Sequence, residues 1–497
     1  MNYLKHSFLV KNIFFLVVFI FSGFYSFAQI LTSSPYSRYG IGEPNQQNFA
    51  LTQAMGGSFA AHYQDSVAPF FINIANPAGL AGLKLTVLEL GGQFQTTKIS
   101  SSSISSNKTN TNFSYGALAF PLRKIAGGAS FGIMPHSTVG YKITSQAQDP
   151  TVGTMNYEFE GVGGINKVFL GTGFKPFNKN LSRFLNSNAY DTLVAHNQTS
   201  KVKFKKFGKQ LLSELAFGVS GNYLFGNISQ TTNVVYPSSI SYYNSKRERS
   251  VQVNDFSFNG GLQTHFTIDS VKYHGPNPLQ KGQRRLLKEK IKIGVGLYVN
   301  SASALKAKEN TVIYNYHLNS FGFEIPKDTI LNTQNKAGSI TLPLEIGAGF
   351  SIKKGEKLTL LTDASITQWD GFRFLNTPSS SFKNSMRLSV GINYLPIGTT
   401  KIAKAPSNYV KRIQYRLGAS FNDGYLDLKN TPITNYAITA GLGLPVGSGR
   451  EDIGMVNISA QFGRMGTVQN NLLQEDYVRI VLGFTFNKLW FIKYKYD

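Results

Sequence analysis

The chain has 497 residues and a formal net charge of +24, with no cysteine, 15% charged and 13% aromatic residues, and 48 glycines beside 38 phenylalanines and 25 tyrosines. That mixture suits strands and turns rather than helices, and the absence of thiols excludes disulfides, lipidated cysteines and thiolate chemistry. Such a basic chain invites a nucleic-acid reading, but its N-terminus argues for export and hence for no nucleic acid. Lys5 and Lys11 frame the start of the apolar run Ile13–Phe21, and Ser26-Phe27-Ala28 puts small residues at the cleavage positions, so residues 1–28 read as a signal peptide. The apolar run is well short of the roughly 20 residues a membrane-spanning helix needs.

Residues 29–84 do not alternate. Asn45–His62 reads as a short helix broken at Gly56-Gly57, and the following stretch ends in "NIANPAGLAGL", Asn73–Leu83. Pro77 forces Asn76 out of the helical region, and small apolar residues follow. A compact, apolar, non-strand segment placed before the first strand has the character of a plug inside a barrel.

From Leu85 onward one pattern repeats, apolar residues alternating with small or polar ones, then a turn. Phe256, Phe258, Leu262, Phe266 and Ile268 share one face, and Ser257, Asn259, Gln263, His265 and Thr267 share the other. Such segments are Leu85–Thr97, Thr111–Phe120, Ala126–Tyr141, Met155–Phe174, Leu215–Phe225, Val251–Ile268, Ile291–Leu305, Ile340–Ile352, Leu358–Trp369, Phe382–Leu395, Ile413–Asn422, Ile433–Leu444, Val456–Gly463 and Tyr477–Phe486. They are long enough to cross a bilayer when tilted, and their second faces are small and uncharged, as for a lumen. The fold predicted is all-β: a transmembrane antiparallel β-barrel of about 14 strands over residues 85–497 with an N-terminal plug, in the outer membrane of a Gram-negative cell.

An N-terminus starting in the periplasm puts the tight turns Pro121–Lys124, Lys353–Lys357 and Pro445–Asp452 on the periplasmic side. Insertions near 175–214 and 269–290 fall there too, with Leu279–Lys292 expected to be partly helical; 229–250, 306–336 and 465–476 become extracellular loops. Basic residues such as Lys205, Lys206, Arg284, Arg285, Lys353, Lys411 and Arg412 gather at the periplasmic connections, where they meet anionic head groups, dock an acidic protein partner or simply keep the rim soluble.

In the third segment Pro135 cannot donate a ladder hydrogen bond, which calls for a bulge, a kink or a place in an extracellular hairpin. Asp65, Asp191, Asp269 and Asp328 each open an Asp-Ser/Thr-aliphatic tripeptide of the kind some Gram-negative O-glycosylation systems use.

The hatch motif, with Asp65 ahead of Asn76-Pro77-Ala78-Gly79-Leu80, and the later runs Leu342–Ile352, Leu361–Phe372 and Ser385–Pro396 together resemble the long-chain fatty-acid transporter (FadL/TodX-like) family of outer-membrane proteins. The stretch between Asp65 and Asn76 is longer than in that family. The resemblance implies an N-terminal hatch and an inward kink of the third strand. A lateral gate would then lie at Gly132, Met134, Pro135, His136 and Gly140, through which an apolar ligand leaves into the membrane. It implies passive uptake of a hydrophobic small molecule. The alternative it carries is a protein-interaction or shuttle component of a type IX secretion system. Partners are then a hydrophobic ligand, outer-membrane lipid, the barrel-assembly machinery and a periplasmic protein. No His-Glu-x-x-His, phosphate loop or Gly-x-Ser-x-Gly elbow occurs, and neither enzyme activity, cofactor nor metal is expected. A general aqueous porin fits poorly, since porins have more strands and charged eyelets.

Overall fold

The computed structural model describes residues 34–64, 70–122, 125–177, 208, 210–237, 242–276, 284–398, 409–446 and 453–488. The signal peptide, Asp65, Asp191 and most of the 175–214 insertion lie outside the described residues. No described helix is long and apolar enough to cross a membrane, so crossing falls to the strands.

Among the described residues, fourteen antiparallel strands close into one barrel. They are β1 (Thr86–Ser100), β2 (Ser105–Leu122), β3 (Gly127–Asp149), β4 (Gly153–Phe174), β5 (Ala216–Val235) and β6 (Asn244–Pro276). Next come β7 (Arg284–Asn300, resuming as Ser303–Leu318) and β8 (Glu324–Leu342, resuming as Glu345–Lys354). The circuit continues with β9 (Leu358–Thr367), β10 (Ser385–Tyr394), β11 (Gln414–Asn422), β12 (Asn435–Val446), β13 (Ile453–Gly466) and β14 (Gln474–Lys488). β1 closes it against β14 from Thr86↔Lys488 to Ser100↔Gln474. Each strand overlaps one of the predicted segments.

Alternation builds two surfaces. On β6, Phe256 and Phe258 are 60% and 58% exposed, whereas Ser257 and Asn259 are buried. Leu170, Leu417, Ile438, Phe462 and Phe486 are likewise exposed on other strands. A continuous apolar exterior on a closed barrel is what lipid requires, because every backbone group is then paired within the sheet. The chain is an outer-membrane barrel.

Two expectations need correction. Leu279–Lys292 was expected to be partly helical, but residues 284–292 are strand, with β7 pairing from Arg284↔Pro276 to Glu289↔Val271 and, after a register shift, from Ile291↔Ile268. Sheet pairing with the neighbouring strand overrides the local charge pattern. The 306–336 region, expected to be an extracellular loop, is the outer part of the β7–β8 hairpin, paired from Leu342↔Ser303 to Glu324↔Leu318. The outer reaches of β5 and β6 likewise extend into 229–250.

Toward the β3–β4, β5–β6 and β7–β8 hairpin ends, an apolar cap lies across the lumen. Trp369 stacks on Phe382 and Tyr425 at centroid distances of 5.7 and 4.8 Å, with Phe372 beside them. Wall residues Leu224, Ile228, Val253, Leu305 and Ile340 and the N-terminal Tyr36 and Ile41 complete the same buried cluster.

Candidate functional site

The N-terminal segment is held against the inward faces of the strands at the level of its backbone. Asn76 caps a 3-10 turn over Pro77–Gly82, its Oδ1 accepting from the Ala78 N–H at 3.2 Å. Its Nδ2 donates to the Ala60 carbonyl at 2.7 Å and to the Leu262 carbonyl of β6 at 3.3 Å, while its own N–H donates to Asn73 Oδ1. The full NPAGL turn, Asn76 to Leu80, is buried.

The turn rests on a row of glycines. Gly128, Gly173, Gly218 and Gly261 are consecutive cross-strand partners on β3, β4, β5 and β6. A Cβ at any of them would come closer than 3.0 Å to the backbone or the side chain of the turn, at Leu80, Pro77, Ala78 and Asn76 respectively. Shorter rows recur elsewhere: the paired Gly296 and Gly349 receive Ala60, and the paired Gly391 and Gly418 receive Met55. Glycine is required here because two backbones approach with no room for a side chain.

Between the glycine rows, inward polar side chains bind the segment's backbone. Asp363 Oδ2 on β9 accepts from the N–H groups of Phe59 and Ala60 at 2.6 and 2.8 Å. Glu89 on β1 accepts from Ile72 N–H at 2.8 Å, and Arg387 on β10 donates to the Gly56 carbonyl at 2.7 Å. Asn259 and Asn487 bind Ile74 and Phe70 in the same way. His62 of the segment stacks on Phe71 at 4.0 Å, and burial, aided by Lys353 and Arg416, pushes its imidazole down to about 3, so it is neutral at physiological pH.

Asp363 and Arg387 were not singled out from sequence, although each is a lone charge on the inward parity of an otherwise uncharged strand. Replacing Asp363 by Ala leaves two buried N–H groups without their acceptor, at about 1–3 kcal/mol each. The expected result is a barrel that still closes but whose N-terminal segment is cut by added protease where the parent's is not; equal protection would refute this role.

The residues of the expected gate lie on either side of the point where the β2–β3 ladder ends. β3 pairs with β2 only from Leu122↔Gly127 to Gly116↔Ile133. Beyond Ile133 it remains paired with β4, through a register shift between Pro135 and Ser137. On its other side it takes the N-terminal segment as partner, with Glu43↔Thr138 and Pro44↔Ser137 in register and the Asn45 N–H donating to the His136 carbonyl at 2.9 Å. Met134, Pro135 and His136 therefore meet at the point of departure. Gly132 lies in the paired part opposite Ala117, and Gly140 lies against Ser37, whose Oγ accepts from its N–H at 3.0 Å. Pro135 lies within β3 and not in the extracellular hairpin.

A cleft at this departure is lined by the amides of Asn45, Gln46, Asn48, Gln93 and Gln95, with Glu43 and Arg479 at 3.9 Å from each other. Inward of it, between the segment and the apolar cap, lies a chamber of about 250 Å³. Its lining includes Lys167, Glu345, Arg387, Asn222, Leu342 and Trp369.

A family model described as BamG matches residues 9–188 and 281–497. No curated protein matches the chain. Among solved structures, the Pseudomonas putida toluene transporter TodX is 13% identical, with 90% of this chain and 100% of that chain covered and a TM-score of 0.49. A Pseudomonas aeruginosa FadL homologue is 12% identical, with 92% and 98% covered and a TM-score of 0.43.

Proposed function

The chain belongs to the BamG family, and from that premise we propose that it is an outer-membrane transport barrel that takes up a small hydrophobic or amphipathic molecule and releases it sideways into the membrane. The observation that carries this reading is the end of the β2–β3 ladder at Gly116↔Ile133, within a barrel otherwise closed strand to strand. An interrupted ladder at membrane depth exposes backbone groups that lipid cannot satisfy, so it persists where it serves a passage or is covered from within. Residues 34–64 and 70–84 act as the plug that keeps bulk water from crossing, and the amide-lined cleft suits a cargo with a polar head better than a plain hydrocarbon.

Replacing Pro135 by Val supplies the N–H that proline lacks. Uptake of a membrane-soluble fluorescent probe into proteoliposomes should then slow while the folded barrel's gel mobility stays unchanged. Uptake at the parental rate would count against the lateral route.

A second reading, an outer-membrane scaffold for a protein partner, is favoured by one observation: the N-terminal segment is set into the wall backbone to backbone, with an apolar cap above it. A barrel whose proteoliposomes take up no more probe than empty liposomes would support that reading.

A further inference from the structure

We propose that the outer wall of β8–β11 holds an anionic phospholipid of the periplasmic leaflet, with its chains in an apolar concavity and its phosphate at a basic rim. These strands lie on the arc of the barrel opposite the β2–β3 seam. Cross-strand register builds the concavity. Outward Ala348 and Ala364 are partners on β8 and β9, and Thr362 pairs with Val390, which pairs in turn with Ala419. Around these small side chains stand Phe350, Leu388 and Phe421, each 40–42% exposed, so the lipid face is hollowed there while Ile346, Ile366 and Leu417 project on the same strands. Apolar chains fill such a hollow, and a head group decides which lipid stays.

The rim lies at the periplasmic ends of the same strands, where the turn from Lys354 to Leu358 is tight, as periplasmic turns are. Lys354 is exposed and shares the outward parity of Phe350. Leu358 is followed in register by Tyr394 and Tyr415 on β10 and β11, and the Tyr415 hydroxyl donates to the Val410 carbonyl at 3.2 Å. Two backbone bonds fasten the β10–β11 connection to the turn: the Leu395 N–H donates to the Lys357 carbonyl at 2.8 Å, and the Ile397 N–H to the Lys411 carbonyl at 3.1 Å. Lys354, Lys357 and Lys411 are thereby gathered at one edge of the wall, all exposed, with the Arg412 guanidinium 5.9 Å from the Tyr409 ring beside them.

Tyrosine and snorkelling lysine belong at any membrane boundary, but the excess of positive charge commits this one to an anion. Among the described residues of the turn and the connection the carboxylate is Glu356, whose charge acts on Lys353, on the lumen side of β8. At the opposite end of these strands charge is paired, with Lys383 Nζ 4.0 Å from Asp423 Oδ2. A basic cluster at the membrane surface recognises anionic head groups, whereas a zwitterionic one brings its own cation against the lysines. Depth agrees with this occupant. Phe350 to Lys354 is roughly 13 Å along the strand, within the roughly 15 Å that the chains of one leaflet fill. A lipid whose phosphate meets Lys354 and Lys411 therefore lays its chains across the concavity.

The test uses the purified full chain in nonionic detergent, given equal amounts of phosphatidylglycerol and phosphatidylcholine with the same oleoyl chains, and native mass spectrometry counts the lipid retained. Phosphatidylglycerol should be retained at least about fivefold over phosphatidylcholine. Lys354→Gln combined with Lys411→Gln should abolish that preference, and Lys354→Arg combined with Lys411→Arg should keep it. Ala364→Phe fills the concavity from the lipid side and should cut retention of both lipids several-fold, while heat-modifiable gel mobility reports a folded barrel. Equal retention of the two lipids by the parent, which needs no variant to observe, overturns the proposal, and so does retention of neither. A preference that survives the double glutamine variant would place the anion away from this rim and overturn it too. Retention indifferent to Ala364→Phe would leave a head-group contact with no seat for the chains, and the site as proposed would fall.

Discussion

Gly218→Val is expected to expel the N-terminal segment while leaving the barrel wall intact. Gly218 lies in β5, where a β-branched residue is favoured by the strand itself. What forbids it is the close approach of Pro77 and Ala78, which leaves a Cβ closer than 3.0 Å to their backbone atoms. Overpacking typically costs about 1–3 kcal/mol when side chains can shift. Here the obstructing atoms are backbone, tied by Asn76 to Ala60 and Leu262, so relief requires the turn to leave as a unit. The measurable results are new ion conductance in planar bilayers and protease sensitivity between residues 34 and 84. Gly221→Val is the control. It makes the same change on the same strand, but its Cβ would meet only the Phe258 ring at 3.7 Å, an ordinary contact. If both variants behave like the parent, the glycine row does not seat the segment.

That row shows where sequence reading stops. The alternation of Phe256, Phe258 and Leu262 against Ser257, Asn259 and Gln263 identified the lipid face because burial on one side imposes a period of two. The same rule finds the membrane-crossing core of every strand. It fails above the membrane, where both faces of the β7–β8 hairpin meet water and the residues from Glu324 to Gln334 carry no periodic constraint. It cannot place Gly128 beside Gly173, Gly218 and Gly261, since register across four strands is a tertiary property. The NPAGL motif was legible because Asn-Pro fixes its own turn. Its seat on the wall was not.

Lys167 was legible in part. In "GINKVFLG", Gly164 to Gly171, Val168 and Leu170 face lipid, so the parity that makes them outward makes Lys167 inward. A cation on that parity was a signal, but only the fold shows it buried beside Phe169 on the wall of the chamber. Trp369 and Phe382, read as the ends of alternating segments, and Phe372 gave no sign of the cap, because the fold places them in the connections beyond β9 and before β10, where they pack with one another.

A disulfide across the seam is expected to abolish uptake in a way that reduction restores. Extending the β2–β3 register by two residues past Gly116↔Ile133 would bring Ser114 opposite Pro135, and both already line the cleft. The chain has no cysteine, so Ser114→Cys with Pro135→Cys creates a unique pair. A disulfide needs Cα atoms about 4.4–6.8 Å apart, so oxidation captures the barrel when β3 swings toward β2 and holds it there. Closing that far must also displace the short pairing of Glu43 and Pro44 with Thr138 and Ser137, which links the state of the seam to the N-terminal segment. Oxidised proteoliposomes should therefore take up the membrane-soluble probe no faster than empty ones, and dithiothreitol should restore the rate of the Pro135→Cys single variant, which gains the same N–H as Pro135→Val and so runs below the parent, with each single-cysteine variant indifferent to both treatments. Uptake that continues at the parental rate with the disulfide fully formed would show that cargo does not cross between β2 and β3. The interruption at Ile133 would then serve only to give β3 a second partner, Glu43 to Asn45, and so to fasten the N-terminal segment to the wall, which is the geometry a protein-binding scaffold needs.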